Sequence, residues 1–454
     1  MTTSFPLISH RSPDAVVAYR AGTPVRADRF LADARRVAAS FPADTSTSRH
    51  VLNVCADRYR FTVGLAASLL TRRISLLPPT HTPEVIRQLV ALTPDVFCLT
   101  DDVQCAIDLP RVDYSADQPA RSNDALWPPP QLDETQLAAY VFTSGSTGTP
   151  LPHKKTWGRL IRCVRDGASR LGLSDGRSFA IVATVPPQHM YGFESSVLLG
   201  LQSGGALGAE RPFYPADVCA SLAAVPNPRV LISTPIHLRA LLAAEVDLPP
   251  TDLVVSATAP LSPETAREVE TRFATQLLEI YGSTETGQIA TRRTAQTAEW
   301  QLWPGVTLTA REGRTWAQGG HLEQPISLHD VLELTGSDRF LLHGRIADLV
   351  NIAGKRSSVS YLNHQLNSIH GVLDGAFFQL EESQSSHTGV ARIAAFVVAP
   401  GMTAATLMDE LRMRIDPVFL PRPLVFVDSL PRNSTGKLPQ EALRTLAATH
   451  LKSP

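Results

Sequence analysis

The sequence predicts an α/β protein of at least two domains, with parallel sheets wound by helices on both faces. Three observations carry that prediction. Short apolar runs alternate with longer stretches of helical period as far as about Gly344, the pattern of strands buried on both sides by helices. The 454 residues, 43% hydrophobic and 19% charged, exceed what one hydrophobic core usually organises. Beyond Gly344 a basic, Ser-rich segment around Lys355 to Ser358 opens a smaller alternation of helix and strand. This places a boundary between residues 1–345 and 346–454.

Taken in order, Val51 to Cys55 reads as a strand, Phe61 to Leu70 as a small-residue helix, and Ile74 to Leu77 as a second strand. Pro83 to Leu92 follows as a helix opened by proline, then Val96 to Leu99 as a third strand. Between Asp101 and Glu134 the chain is rich in Asp, Ser and Pro, and Pro128 to Pro130 suits neither a strand nor a helix interior. It reads as an exposed connection. Alternation then resumes, with Leu137 to Phe142, Ala180 to Val185, Val230 to Ser233, Leu253 to Ser256 and Gln276 to Ile280 as the strands of a second doubly wound half. Glu381 to Thr388 reads as a polar loop, and no repeat of fixed period is present.

Composition narrows the function. A net charge of -1, from 42 basic and 43 acidic residues, sets up no broad field for nucleic acid or an anionic membrane and favours small-molecule chemistry. Cys55, Cys98, Cys105, Cys163 and Cys219 show no metal-type pairing and are odd in number, so they read as reduced core residues. Met1 to Arg20 has no apolar stretch of signal-peptide type, and no run approaches membrane-spanning length. A cytoplasmic protein without membrane insertion is the expectation.

Four segments then carry chemistry. Thr143, Ser144, Gly145, Ser146, Thr147 and Gly148, running into Thr149-Pro150, follow a predicted strand and precede a helix expected near Lys155. Glycines let backbone N–H groups turn toward an anion and hydroxyls add donors, which makes a phosphate loop. The Gly-Lys-Ser/Thr ending of a Walker loop is absent, and a flexible surface linker is the competing reading of such a tract. Tyr281-Gly282-Ser283-Thr284-Glu285-Thr286-Gly287 again follows a strand, at the sheet edge where ligands bind. There an aromatic ring can cover a purine, a hydroxyl can meet a phosphate and a carboxylate can hold Mg2+; a capped turn with a solvated Glu is the plain alternative. His343-Gly344-Arg345-Ile346-Ala347-Asp348 and Pro431-Arg432-Asn433-Ser434-Thr435-Gly436-Lys437 complete the set.

Together and in this order, these segments resemble the adenylate-forming superfamily of acyl- and aryl-CoA synthetases, luciferases and peptide-synthetase adenylation domains. The resemblance covers most of the chain. It implies a large N-terminal domain with two doubly wound parallel-type sheets and a small barrel-like sheet, a small mobile α+β C-terminal domain, and an active site between them. By the same resemblance, the loop from Thr143 to Gly148 engages the β and γ phosphates of ATP and Tyr281 flanks adenine. Thr284 meets the α-phosphate and Glu285 binds Mg2+. Asp330, in Ser327-Leu328-His329-Asp330, takes the ribose hydroxyls, Arg345 supports ribose or phosphate, and Lys437 is the catalytic lysine. Pro186-Pro187-Gln188-His189-Met190-Tyr191-Gly192 resembles the Pro-x-x-His-x-x-Gly stretch of such ligases, with His189 lining and gating the acyl pocket. Tyr191, Gly192, Phe193, Ala257 and Gly282 are assigned to the same pocket, and Ala257 to Leu261 to the wall beside adenine.

Two departures from the family pattern stand out. Leu151 follows Pro150 where lysine is common, with His153, Lys154 and Lys155 arriving slightly later as candidates for phosphate contact, and Ala347 precedes Asp348 where two acidic residues are frequent. The resemblance assigns Gly354, Lys355 and Arg356 to the loop that enters the site for thioester formation, meeting CoA or the phosphopantetheine of an acyl carrier protein. For the acid, an aromatic substrate such as a hydroxybenzoate is expected, with Glu194 as a polar end of the pocket. Medium-chain fatty acids remain open, as do amino acids, for which Glu194 would hold the amine. A degenerate nucleotide- or carrier-binding relative and a kinase are the readings from other classes. Their products differ: adenylation releases pyrophosphate, a kinase ADP, and a scaffold neither.

Overall fold

The computed structural model describes residues 3–43, 49–114, 127–144, 150–244, 246–311, 314–345, 349–352, 355–379, 393–433 and 436–451. It is an α/β structure whose N-terminal part is built on two sheets. The first has six strands in the order Pro150–Thr156, Leu137–Ser144, Ile74–Leu77, His50–Asn53, Val96–Thr100 and Arg111–Asp113. All neighbours are parallel except the opening hairpin. Ile74–Leu77 and Val96–Thr100 are buried at every position, as continuous apolar runs with helices on both faces require. Helix Arg58–Leu70, capped by the Asp57 carboxylate on the Arg60 N–H, is buried over most of its length. Its small residues allow that depth: a Cβ at Gly64 would lie 2.4 Å from Asn53 Nδ2.

The second sheet has eleven strands. Its parallel centre runs Gln276–Ser283, Leu253–Ser256, Arg229–Ser233, Ala180–Ala183, Ala206–Gly208 and Val16–Arg20. Antiparallel strands extend it at both ends: Thr23–Arg26 on one side, and Gly287–Arg292, Trp300–Leu302, Arg339–Arg345 and Asp330–Leu334 on the other. Beside them Val306–Arg311, Arg314–Gly319 and Ile326–Ser327 form a small antiparallel sheet. A core containing Trp300, Trp303 and Phe340 underlies it. This is the third sheet of the expected N-terminal architecture.

From Leu349 onward the chain forms a hairpin, Leu349–Ile352 with Lys355–Ser358, then helix Val359–Asn367 and a mixed sheet of Asp374–Gln379, Ile393–Val398 and Leu424–Phe426. Helices Ala404–Arg412 and Gln440–His450 complete an α+β unit. Its apolar residues cluster among themselves, as in the group from Val350 to Leu420.

Several sequence expectations change. Leu137–Ser144 lies in the first sheet beside Ile74–Leu77, so the second sheet's returning strands begin at Ala180. Lys155 is in a strand, not at a helix start. Pro150–Thr156 carries two prolines that an edge position tolerates. The helix is Trp157–Arg170, capped by the Thr156 hydroxyl on the Arg159 N–H. The stretch from Asp101 to Glu134 includes two short strands, Arg111–Asp113 and Gln131–Asp133, the latter pairing with Ser4–Pro6. Glu381 to Thr388 falls outside the described residues.

Candidate active site

The site-bearing segments sit at the carboxyl ends of parallel strands, where crossing connections leave a crevice. Strand Leu137–Ser144 ends at the Thr143 segment of one sheet and Gln276–Ser283 ends at Thr284 and Glu285 of the other. The two ends are joined. Thr143 Oγ1 and His153 Nε2 are hydrogen-bonded at 3.0 Å, and the same ring nitrogen lies 3.6 Å from Glu285 Oε1. Gly145, Ser146, Thr147 and Gly148 lie outside the described residues, as does the Ser144 side chain.

The loop after Tyr281 is a tight turn. The Ser283 and Thr286 N–H groups each donate to the other's hydroxyl, at 3.0 and 3.2 Å. A Cβ at Gly282 would fall 2.2 Å from the Gly287 carbonyl oxygen, so this glycine serves the close approach of two strands. Burial pushes the Glu285 carboxyl up, but hydrogen bonds from the Ser283 hydroxyl and its own N–H, with the charges of His153 and Lys155, hold it below the usual range. It is ionised and half-buried, a hard oxygen donor of the kind Mg2+ takes. Beneath the loop, Lys155 Nζ donates to the carbonyls of Thr284 and Glu285, the Arg159 guanidinium to that of Glu285, and His321 Nε2 to that of Thr286 at 2.9 Å. Strand alternation puts His153 and Lys155 on one face and the exposed Lys154 on the other. Lys155 is 0% exposed and faces the loop's main chain, which removes it as a phosphate contact.

Tyr281 and Asp330 are brought together, the phenol donating to Asp330 Oδ2 at 2.6 Å. The Tyr281 ring packs against Trp300 and Phe340 at centroid distances of 5.6 and 5.5 Å. Asp330 stands opposite Arg345 in an antiparallel pair; the Arg345 side chain is outside the described residues.

His189 follows the turn from Pro186. Its pKa is lowered to about 4 by burial and by the charges of Lys437, His81 and Arg211, so the ring is neutral. Nε2 is buried and without a hydrogen-bond partner. Tyr191 donates to the Val255 carbonyl at 3.0 Å, which ties it to the end of Leu253–Ser256 next to the buried Ala257. A Cβ at Gly192 would lie 2.0 Å from the Pro186 carbonyl oxygen, so Gly192 is required by packing. Phe193 is 0% exposed within the main core and faces no open pocket. Glu194 is sealed as well, 2% exposed and accepting from Cys163 Sγ at 3.2 Å. Its Oε2 is buried without a hydrogen-bond partner.

Lys437, exposed, lies on a loop of the C-terminal part. Asn433 brackets it, accepting from the Lys437 N–H through Oδ1 at 2.9 Å and donating its own N–H to the Lys437 carbonyl at 2.8 Å. Gly436, at φ +76°, packs on Ile236 and Thr234, where a Cβ would lie 2.8 Å from Ile236 Cγ2. Lys355 and Arg356 pair through the main chain with Ile352 and Asn351; Gly354 and both basic side chains are outside the described residues.

Sequence reasoning missed three supports. Arg432 makes a bidentate pair with Asp374, at 2.6 and 2.7 Å, while its NH1 donates to the Gly436 carbonyl at 2.9 Å. Arg58, 0% exposed, donates to the Ala183 and Val185 carbonyls at 2.8 and 3.0 Å and so braces the approach to His189. His321 is the third. Only Arg58 carried a signal, a cation at the start of an apolar helix.

The AMP-binding enzyme family matches residues 9–311, and the AMP-binding enzyme C-terminal domain matches residues 383–437. The chain is 30% identical over 308 residues to a 4-coumarate–CoA ligase of Rhodobacter capsulatus, covering 67% of this chain and 75% of that one. It is 30% identical over 306 residues to a 4-coumarate–CoA ligase of Halorhodospira halophila, covering 65% and 73%. Among solved structures, the o-succinylbenzoate CoA synthetase of Bacillus subtilis with its acyl-adenylate superposes with a TM-score of 0.80 at 18% identity, covering 97% of this chain and 98% of that one. ATP-bound MatB from Rhodopseudomonas palustris superposes at 0.79 and 18% identity, covering 97% of each. With the family match spanning residues 9–311 and the fold shared end to end, the chain belongs to the AMP-binding enzymes of the adenylate-forming superfamily.

Proposed function

We propose that this protein activates an aromatic carboxylic acid with ATP and passes the acyl group to the thiol of CoA. One observation carries the reading: the Lys437 loop is seated on Thr234 and Ile236 at the strand ends that hold His189, and the lysine's charge is felt at that ring. In the first step a substrate carboxylate oxygen attacks the α-phosphorus of ATP, and the bond to the departing pyrophosphate breaks. The Lys437 ammonium orients the two anions and offsets charge in the transition state. Thr284 donates to the α-phosphate, Tyr281 flanks the base, and Asp330, held by the Tyr281 phenol, takes the ribose. Glu285 suits Mg2+, which when bound neutralises phosphate charge. The Thr143 to Gly148 loop holds the outer phosphates, and Arg345 supports the ribose. In the second step the thiol sulfur attacks the acyl carbon and AMP leaves, with Gly354, Lys355 and Arg356 at the thiol's entrance.

The aromatic preference rests on the 4-coumarate–CoA ligase relatives and on a neutral ring at His189 beside Met190 and Tyr191. Pyrophosphate release measured with ATP and Mg2+ across hydroxybenzoates, cinnamates, medium-chain fatty acids and amino acids, with CoA or a holo carrier protein as acceptor, tests both parts. Turnover of aromatic acids with CoA is expected. Turnover confined to fatty acids sinks the substrate assignment, thioester on the carrier protein alone replaces the acceptor, and ADP as product rejects adenylation.

A further inference from the structure

Below the Thr284-Glu285 turn lies a group of buried ionisable side chains that the adenylation chemistry does not use. Lys155 comes from the edge strand Pro150–Thr156, Arg159 and Cys163 from the helix that follows, and Glu194 from the π-helical turn Phe193–Leu198. His321 reaches in from the small antiparallel sheet's side. Lys155 is 0%, Glu194 2%, His321 3% and Arg159 9% exposed. An ammonium taken this far from water is costly unless donors and charge are matched. Its protons go to the main chain of the turn, to the carbonyls of Thr284 and Glu285. Glu194 stands on the other side, its Oε1 held by Cys163 at 3.2 Å and close enough to the turn that a Cβ on Gly287, at φ +73°, would meet it at 2.8 Å. Glu194 and Cys163 thus leave no room for a side chain at position 287.

We propose that Lys155 is a positioning residue that fixes the Thr284-Glu285 main chain, so that the Thr284 hydroxyl and Glu285 carboxylate are held for the nucleotide and its Mg2+. The assignment rests on the function proposed above for that turn. It turns the absence of lysine at Leu151 into a different use of the neighbouring basic residues: His153 faces the Glu285 carboxylate, Lys155 anchors its carbonyl, and Lys154 points to solvent. Arg159 and His321 bind the same turn from the helix and from the small sheet. Lys155 is the donor that spans two successive carbonyls.

The test compares wild type, K155M, E194Q and K155M/E194Q by melting temperature, Mg2+- and ATP-dependent pyrophosphate release, and amide exchange of residues 283–288. K155M is expected to melt lower, because the buried carbonyls of Thr284 and Glu285 lose their donor, and to lose about 10- to 100-fold in kcat as the turn shifts. In K155M/E194Q kcat is expected to stay low and the amides of 284–286 to exchange faster than in wild type, because neutralising Glu194 does not restore the lost donor. E194Q, which keeps the Lys155 donors, should retain more of kcat than K155M. A double variant that regains the wild-type rate overturns the positioning role, as does a K155M variant with wild-type kcat and unchanged amide exchange. If K155M alone does not fold, the double variant carries the comparison. If wild type releases no pyrophosphate with any acid, the proposed function falls, and amide exchange still reports whether Lys155 anchors the turn.

Discussion

At the residue scale, the His189 imidazole is neutral and within the electrostatic reach of the Lys437 ammonium. His189 is held to a pKa of about 4 first by burial and then by Lys437. Removing that charge in K437M should raise the His189 pKa, read as a shift of its imidazole titration by NMR, while acid-dependent pyrophosphate release is lost. An unmoved titration would detach the lysine from the pocket, and undiminished adenylation would remove it from the mechanism. At Tyr281 the phenol bonds Asp330 at 2.6 Å. Y281F leaves the ring packing and deletes that bond, so KM for ATP should rise about 2- to 12-fold, the equivalent of about 0.5–1.5 kcal/mol, with kcat less affected. Equal loss in both parameters would count against a ribose-positioning role for the pair. Types and order of these residues were legible in the sequence because a short glycine- or hydroxyl-rich turn after an apolar run is a local signal. Which side chains face inward was not. Phe193 and Glu194 follow the recognised His189 segment directly, yet a π-helical turn carries both into the core.

At the scale of elements, the strands easiest to read were those buried on both faces. Ile74–Leu77 and Leu253–Ser256 match their expected bounds because every position is apolar or small and every position is buried. Pro150–Thr156 was missed for the opposite reason: two prolines and three basic side chains suit an edge strand, whose outer row of backbone groups needs no partner. The C-terminal loop gains its order from a distance the sequence does not display, since Arg432 reaches Asp374 across 58 positions to hold the turn before Lys437. D374N should therefore lower kcat for adenylation by about tenfold or more through a loosened lysine, with CD spectrum and ATP binding nearly unchanged. Wild-type kcat in D374N would show that Asn433 and Gly436 suffice. At Gly192 the added methyl of G192A has no room beneath the Pro186 carbonyl. About 1–3 kcal/mol of destabilisation by urea unfolding is expected, and an unchanged midpoint would mean that the turn relaxes freely.

At the scale of the whole molecule, fold class and the change of character near Gly344 were readable, whereas the assignment of Leu137–Ser144 to the first sheet was not. That strand pairs with Ile74–Leu77, far back in the chain, and periodicity reports burial without naming a neighbour. Acid sensitivity is a property of the molecule as a whole. His10, His81, His189, His237, His321 and His364 are all lowered, burial being the largest cause for each. A histidine whose folded pKa lies below its unfolded value binds its proton more readily when unfolded. Stability is then full above about pH 6.5 and falls as pH drops toward the folded values, near 4 for His189 and His321. Melting temperatures taken from pH 7 to pH 5 should decline steadily, and a flat profile would mean that these rings titrate normally. The burial of Lys155 beneath two carbonyls of the turn has a consequence over evolutionary time. Losing the lysine strands those carbonyls in the interior, so the position works as a ratchet: descendants keep it, and lineages with an apolar residue there should bring another donor to the turn.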